Sequence, residues 1–280
     1  MLKRDYSPDT LPKRNLPLVS IIDQLKQQAA EGNYRAACRL AAELMRCTQV
    51  IPEIQRALEE RRTVDLKNAK QAGDTERIES IQGAIADMEI GMARDKQICA
   101  GFENKENLEI WRYKLQAAQS GHAPSILDFV DSPTWLLTDQ KTYEDAWITY
   151  RDNGEALLSE LARSGNKRAI IELIMQYVRF DTQTAAIIGK YAPFKPDQQK
   201  AAMYIYAYYL LPNGNRSNAP FLNEALRKIS QQLTSDQLAA AKSQADQLAA
   251  SWPADQALQR NPPRMVHEAG DLGLDDICSQ

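Results

Sequence analysis

The chain has 280 residues, with 34 Lys+Arg against 37 Asp+Glu for a net charge of −3, a balance that offers no electrostatic case for nucleic acid or an anionic membrane as partner. Hydrophobic residues at 44% and charged residues at 25% are ordinary for a globular protein large enough to build a core without staples. No apolar run approaches the roughly 20 residues needed to cross a bilayer, and scarce glycine (12 residues) beside abundant Ala, Leu and Gln favours helix over sheet.

Residues 1–17 carry Pro8, Pro12 and Pro17 among charged residues and read as an extended arm. The basic start has no apolar h-region, so no signal peptide is expected in this numbering; the chain is either cytosolic or a processed form. Next, Leu25, Ala29, Gly32, Ala36 and Leu40 step 4, 3, 4 and 4. That spacing predicts two helices meeting at Gly32. The glycine accepts the left-handed backbone that ends the first helix, and Ala29 and Ala36 are small where the two helices cross.

Residues 47–99 are a different object. Ile78, Ile81, Ile85, Met88 and Met92 step 3, 4, 3 and 4, a heptad seam interrupted at Asp95. Val50, Ile54, Ala57, Leu58 and Val64 offer a looser partner stripe, and Gly73-Asp74 reads as the turn. The prediction is a long antiparallel helical hairpin with arms of about 24 residues, roughly 36 Å each. A pair of ordinary core-packing helices is the alternative.

A third, weaker box runs Ala118, Gly121, Ser125 and Phe129, with Pro124 suited to the first turn of its second helix. The stretch DSPTWLLTDQ reads as a loop. Thr142 then caps a helix carrying Tyr143, Trp147 and Tyr150, a candidate ligand groove that at helical spacing is also compatible with core. Asn153-Gly154 is expected to break that helix. The strongest box follows: Leu158, Ala162, Gly165, Ala169, Leu173 and Tyr177 at steps of 4, 3, 4, 4 and 4. The three box glycines lie 89 and then 44 residues apart.

Pro193 and Pro196 bound a linker. Tyr204, Tyr206, Tyr208 and Tyr209 go round most of the next helix, which implies a helix covered on several sides. After a turn-rich loop, Pro212–Asn218, two helices are expected at about 220–232 and 235–251, the last capped by Thr234 or Ser235 and stopped by Pro253. Residues 253–280 form a Pro/Gly-containing tail.

The four cysteines are Cys38, Cys47, Cys99 and Cys278. Cys38 and Cys47 on one helix would stand about 13.5 Å apart, too far to bridge. Cys47 lies 26 residues before Gly73 and Cys99 lies 26 after it, so antiparallel arms bring them to equal height. A Cys47–Cys99 disulfide points to an oxidising compartment such as a bacterial periplasm; buried free thiols in a cytoplasmic protein are the alternative. Cys38–Cys278 is the pair that remains. No C-x-x-C occurs. His122 and His267 are the only histidines, and no zincin, Walker, G-x-S-x-G or dinucleotide motif is present. No catalytic, cofactor-binding or metal-binding residue is therefore assigned.

The boxes Leu158-Ala162-Gly165-Ala169-Leu173 and Leu25-Ala29-Gly32-Ala36-Leu40 resemble the Sel-one-like branch of the tetratricopeptide repeat family. Lys200-Ala201-Ala202 with Tyr204 and Tyr208 looks like one of that family's helix faces, and LTSDQLAAAKSQADQLAASW is similar to the closing helix of bacterial members. The copies depart from the pattern at Ser125, the usual Leu-Gly-x2-Tyr after the box is largely missing, and 47–99 has no counterpart. The resemblance implies an all-α, irregular right-handed solenoid of helix pairs over residues 18–252; the hairpin of residues 47–99, read from its own seam, is an insertion near the N-terminus. It implies a non-enzymatic scaffold for a protein or peptide partner, without cofactor, nucleic acid or membrane span. An inhibitor or immunity-type protein for one toxin-like enzyme, or a cell-wall-acting enzyme on a helical superstructure, are the alternative functions.

Overall fold

The structure is a computed structural model that describes residues 11–13, 15–103, 110–131, 140–178, 194–212, 219–253 and 278. Every regular element among them is helical. The chain divides into two compact units, one of Met1–Ser125, Leu136–Thr142 and Pro263–Gln280, the other of Ile126–Trp135 and Tyr143–Pro262. The helical region expected as one domain over 18–252 is thus shared between the two.

In the first unit, α1 (Leu18–Ala30) buries Leu18, Ile21, Leu25 and Ala29, one stripe at helical spacing. Gly32 follows at φ 91°, and Asn33 caps α2 (Tyr34–Met45) by accepting from the Arg35 and Ala36 backbone N–H groups. Ala36, Leu40 and Leu44 are fully buried. Helix α2 packs on α1 and on α6 (Ile110–Ala118), and the core of this unit gathers there.

Helix α2 does not stop at Met45. A π turn at Arg46–Val50, α3 (Ile51–Glu60), a second π turn at Arg61–Asp65 and α4 (Leu66–Ala72) continue the same right-handed backbone. One rod therefore runs from the core of the unit to Gly73, whose φ of 68° turns the chain. Asp74 caps α5 (Thr75–Ile98), which returns along α3 and α4. No residue of the core cluster lies between Ile51 and Ile98. Along α5, Ile81 and Asp95 are buried and Ile78, Ile85, Met88 and Met92 half-buried, the face expected to form the seam. Val64, expected on the opposing stripe, is instead 48% exposed. The second π turn adds a residue there and rotates the stripe onto Asp65, Leu66 and Ala69.

In the second unit lie most of α7 (Ala123–Asp131), α8 (Gln140–Arg163), α9 (Lys167–Tyr177), α10 (Gln198–Leu210), α11 (Pro220–Ser230) and α12 (Ser235–Ala250). Helix α8 runs unbroken through Asn153 and Gly154, contrary to the break expected there. Asn153 bonds its Nδ2 back to the Thr149 carbonyl at 2.7 Å. Gly154 is where two rings reach the helix backbone: an added β-carbon would meet Phe194 at 3.3 Å and Tyr150 at 3.4 Å. Helix α10 packs against α9, α11 and α12; Ala201, Ala202, Tyr204, Ile205, Ala207 and Tyr208 are buried, Tyr206 and Tyr209 half-buried, and Leu210 is exposed. Thr234 caps α12 in a reciprocal box with Gln237. No helix among the described residues is long and apolar enough to cross a membrane.

Candidate interaction sites

The three box glycines stand at bends of one geometry. Gly32, Gly121 and Gly165 have φ of 91°, 82° and 79°, and each donates its N–H to the carbonyl of the box alanine three residues back, Ala29, Ala118 and Ala162, at 2.8, 3.0 and 3.0 Å. Ala29, Ala36, Ala118, Ala162 and Ala169 are buried to within 1%. The residue after the glycine has a repeated task. Asn33 accepts from Ala36 N–H at 3.2 Å, and Asn166 from Ala169 N–H at 3.0 Å. After Gly121 that place is held by His122, whose Nδ1 shares a 2.8 Å hydrogen bond with the Ser125 hydroxyl. Ser125, the departure from alanine in this box, is 1% exposed and partners the histidine. His122 also packs on the Tyr34 ring, centroids 5.5 Å apart. Burial first, and then the charge of Arg35, lower its pKa to about 4, so the ring is neutral at pH 7.

The hairpin is anchored by a buried cluster. Arg46 lies 2.8 Å from Glu43 and 3.5 Å from Asp95, all three side chains 6% exposed or less. Arg39, 3.8 Å from Glu43, donates to the backbone carbonyls of Pro12 and Lys13. Beside this cluster, Cys47 and Cys99 form a disulfide with α-carbons 5.4 Å apart, and Cys38 and Cys278 form a second, at 5.6 Å. Helix α2 and the π turn that follows it thereby hold Pro12, Lys13, Cys278 and the hairpin base. Asp95, read as a flaw in the seam, is an ion-pair partner of Arg46. A polar residue at a core position of α5 demands a partner at equal height on the other arm, and the pairing of Cys47 with Cys99 gives that height.

Farther out, the hairpin is solvated along both arms, and Arg62 is paired with Glu89 across them. A shallow groove of about 390 Å³ on the outer arm is lined by Arg62, Leu66, Lys67, Lys70 and Gln71.

In the second unit an aromatic row runs Phe129, Tyr150, Phe194, Tyr177, Tyr204, with successive centroids 5.6, 5.9, 6.0 and 6.0 Å apart. Lys200 closes its end: its Nζ lies 2.6 Å from Glu155 and 5.1 Å from the Tyr177 ring centroid. Burial pushes the Glu155 carboxyl up, but hydrogen bonds from Lys200 and Tyr177 outweigh it and leave the group below its ordinary range. A polar groove of about 470 Å³ opens beside this pair, lined by Glu155, Lys200 and the residues that begin α10. Of the groove expected along Tyr143, Trp147 and Tyr150, the structure describes the side chains of Trp147 and Tyr150. Tyr150 is 1% exposed within the aromatic row, covered by the rings of Phe129 and Phe194. Trp147 is half-buried beneath Arg151, 5.4 Å from its ring centroid. The side chain of Tyr143 lies outside the described residues.

These features define an all-α protein held by two disulfides. Among the described residues no group of three or more His, Cys, Asp and Glu is placed to hold a metal ion. No family model matches the chain, and neither a curated protein nor a solved structure matches it.

Proposed function

We propose that the chain is a non-enzymatic helical-repeat scaffold, akin to the Sel-one-like branch of the tetratricopeptide repeats, that contacts a protein or peptide partner in an oxidising compartment such as a bacterial periplasm. The observation that carries this reading is the hairpin. It stands outside the core of its unit, yet its base is fixed by a disulfide and by buried ion pairs. Rigid attachment of a solvated arm adds nothing to core burial, so its use lies on its surface. The repeated Ala-x2-Gly bends support the repeat assignment, and the two disulfides support the compartment.

The test places a photo-cross-linking residue at Lys70 or Gln71 on the hairpin, with exposed Lys242 on α12 as control. Reproducible adducts with one host protein from the hairpin positions alone support the reading; adducts from neither hairpin position overturn it. Alkylation of thiols in intact cells before lysis tests the compartment. Protected Cys47 and Cys99 are expected, and rapid modification of both places the chain in a reducing one.

A further inference from the structure

The outer face of α5 is turned away from the hairpin seam. Gly83, Ala86, Ile90, Ala93 and Gln97 step 3, 4, 3 and 4 along it, and all are exposed. Ile90, at 73%, is the most exposed large hydrophobic side chain among the described residues. An added β-carbon at Gly83 would meet nothing within 4 Å, so the face is open. The charges that flank it change sign along the helix: Asp87 and Glu89 lie on the N-terminal side of Ile90, and Arg94 and Lys96 on the C-terminal side, all exposed.

That inversion makes the face complementary to itself in one orientation. We infer that α5 docks antiparallel on α5 of a second copy of this chain, in a two-fold contact centred between Ile90 and Ala93. In this register Ile90 packs opposite Ala93 of the second copy, and Ala86 opposite its Gln97. Asp87 then falls beside Arg94 of the second copy and Glu89 beside its Lys96, and two-fold symmetry doubles each pair. All the flanking charges are matched, whereas a parallel pairing at the same seam matches only Glu89 with Arg94. The antiparallel arrangement also opposes the two helix dipoles favourably. Small residues around Ile90 let the backbones approach closely. Glu89 already holds Arg62 within the hairpin but remains 44% exposed and within reach of a second cation. The inference extends the scaffold reading by naming the occupant of one face of the arm, and it leaves the Lys67–Lys70 side of the hairpin for another partner.

Sedimentation velocity of the full oxidised chain reads the association directly. One helix per partner makes a small contact, below about 1,200 Å², so the series should reach about 0.5 mM. A doubling of the 31.5 kDa mass with concentration is expected. Ile90→Glu should abolish it. Asp87→Arg and Arg94→Asp should each weaken it by about tenfold, with circular dichroism melts showing that both variants fold. An equimolar mixture of D87R and R94D should associate again, since each then meets its opposite sign in the other. A chain of 31.5 kDa at every concentration overturns the inference, even where photo-cross-linking still captures another protein; that outcome leaves the scaffold reading standing. A dimer indifferent to Ile90→Glu, or a mixture that fails to associate, overturns it equally.

Discussion

The indole of Trp252 lies against the α-carbon of Gly165: a β-carbon at that glycine would stand 3.2 Å from Trp252 Cγ, and the indole N–H donates to the Ala162 carbonyl at 3.0 Å. The end of α12 thus closes over the bend between α8 and α9. Two requirements meet at Gly165, a φ of 79° and a contact that leaves no room for a methyl group. Gly73 carries the first requirement alone, with φ 68° and nothing within 4 Å of an added β-carbon. Gly73→Ala should therefore cost about 1 kcal/mol for the backbone. Gly165→Ala should cost about 2–4 kcal/mol, because crowding against the indole adds to it. Equilibrium denaturation of the two variants checks the difference; equal losses would show that Trp252 yields freely.

The Arg46–Asp95 pair ties the hairpin to α2 from buried positions on both sides. Removing one partner leaves the other charge buried, so Arg46→Met alone should cost about 3–5 kcal/mol. Arg46→Met with Asp95→Leu should cost less than the sum of the single changes, since the second change removes the carboxylate that the first leaves buried, while the loss of the 2.8 Å contact with Glu43 stays in both. A double-mutant cycle in denaturant measures the coupling, and additive losses would show that the two charges act independently.

The Cys47–Cys99 bond closes a loop of 52 residues and Cys38–Cys278 one of 240. In the chain-entropy account the shorter loop contributes about 4 kcal/mol and the longer about 5 kcal/mol. Thiol titration of the denatured, unreduced chain should find no free thiol, and C47S/C99S should lower stability by roughly the smaller amount. Four titratable thiols would remove both bonds.

His122 makes the stability of the first unit depend on acid. Its folded pKa is lowered from 6.5 to about 4, so the unfolded chain binds the proton first as pH falls. The favourable contribution of the neutral ring is whole above about pH 6.5 and is lost as pH drops toward 4. His122→Asn, which restores the capping residue found at Asn33 and Asn166, should flatten the decline of Tm between those pH values. A parallel decline in both proteins would place the acid sensitivity elsewhere.

Much of the local architecture was legible in the residues. The bends at Gly32, Gly121 and Gly165, the seam of α5 and the height of Cys47 against Cys99 all follow from helical spacing, which is set within a few residues by the i→i−4 bond. The break expected at Gly154 failed because glycine there answers to the rings of Phe194 and Tyr150 rather than to backbone conformation. Val64 was misplaced because a π turn changes the phase of a helix without any distinctive residue to mark it. Tyr150 left the expected groove once Phe129 and Phe194 covered it.

By itself, then, the order of residues determined which segments coil, where they bend and which two cysteines stand level across the hairpin. Only the tertiary structure decided that Cys278 reaches Cys38, that Trp252 seats on Gly165 and that Asp95 serves Arg46. Helix formation is satisfied inside one segment, whereas these contacts join residues 49 to 240 positions apart. Their geometry depends on how whole faces pack, and no local spacing encodes that.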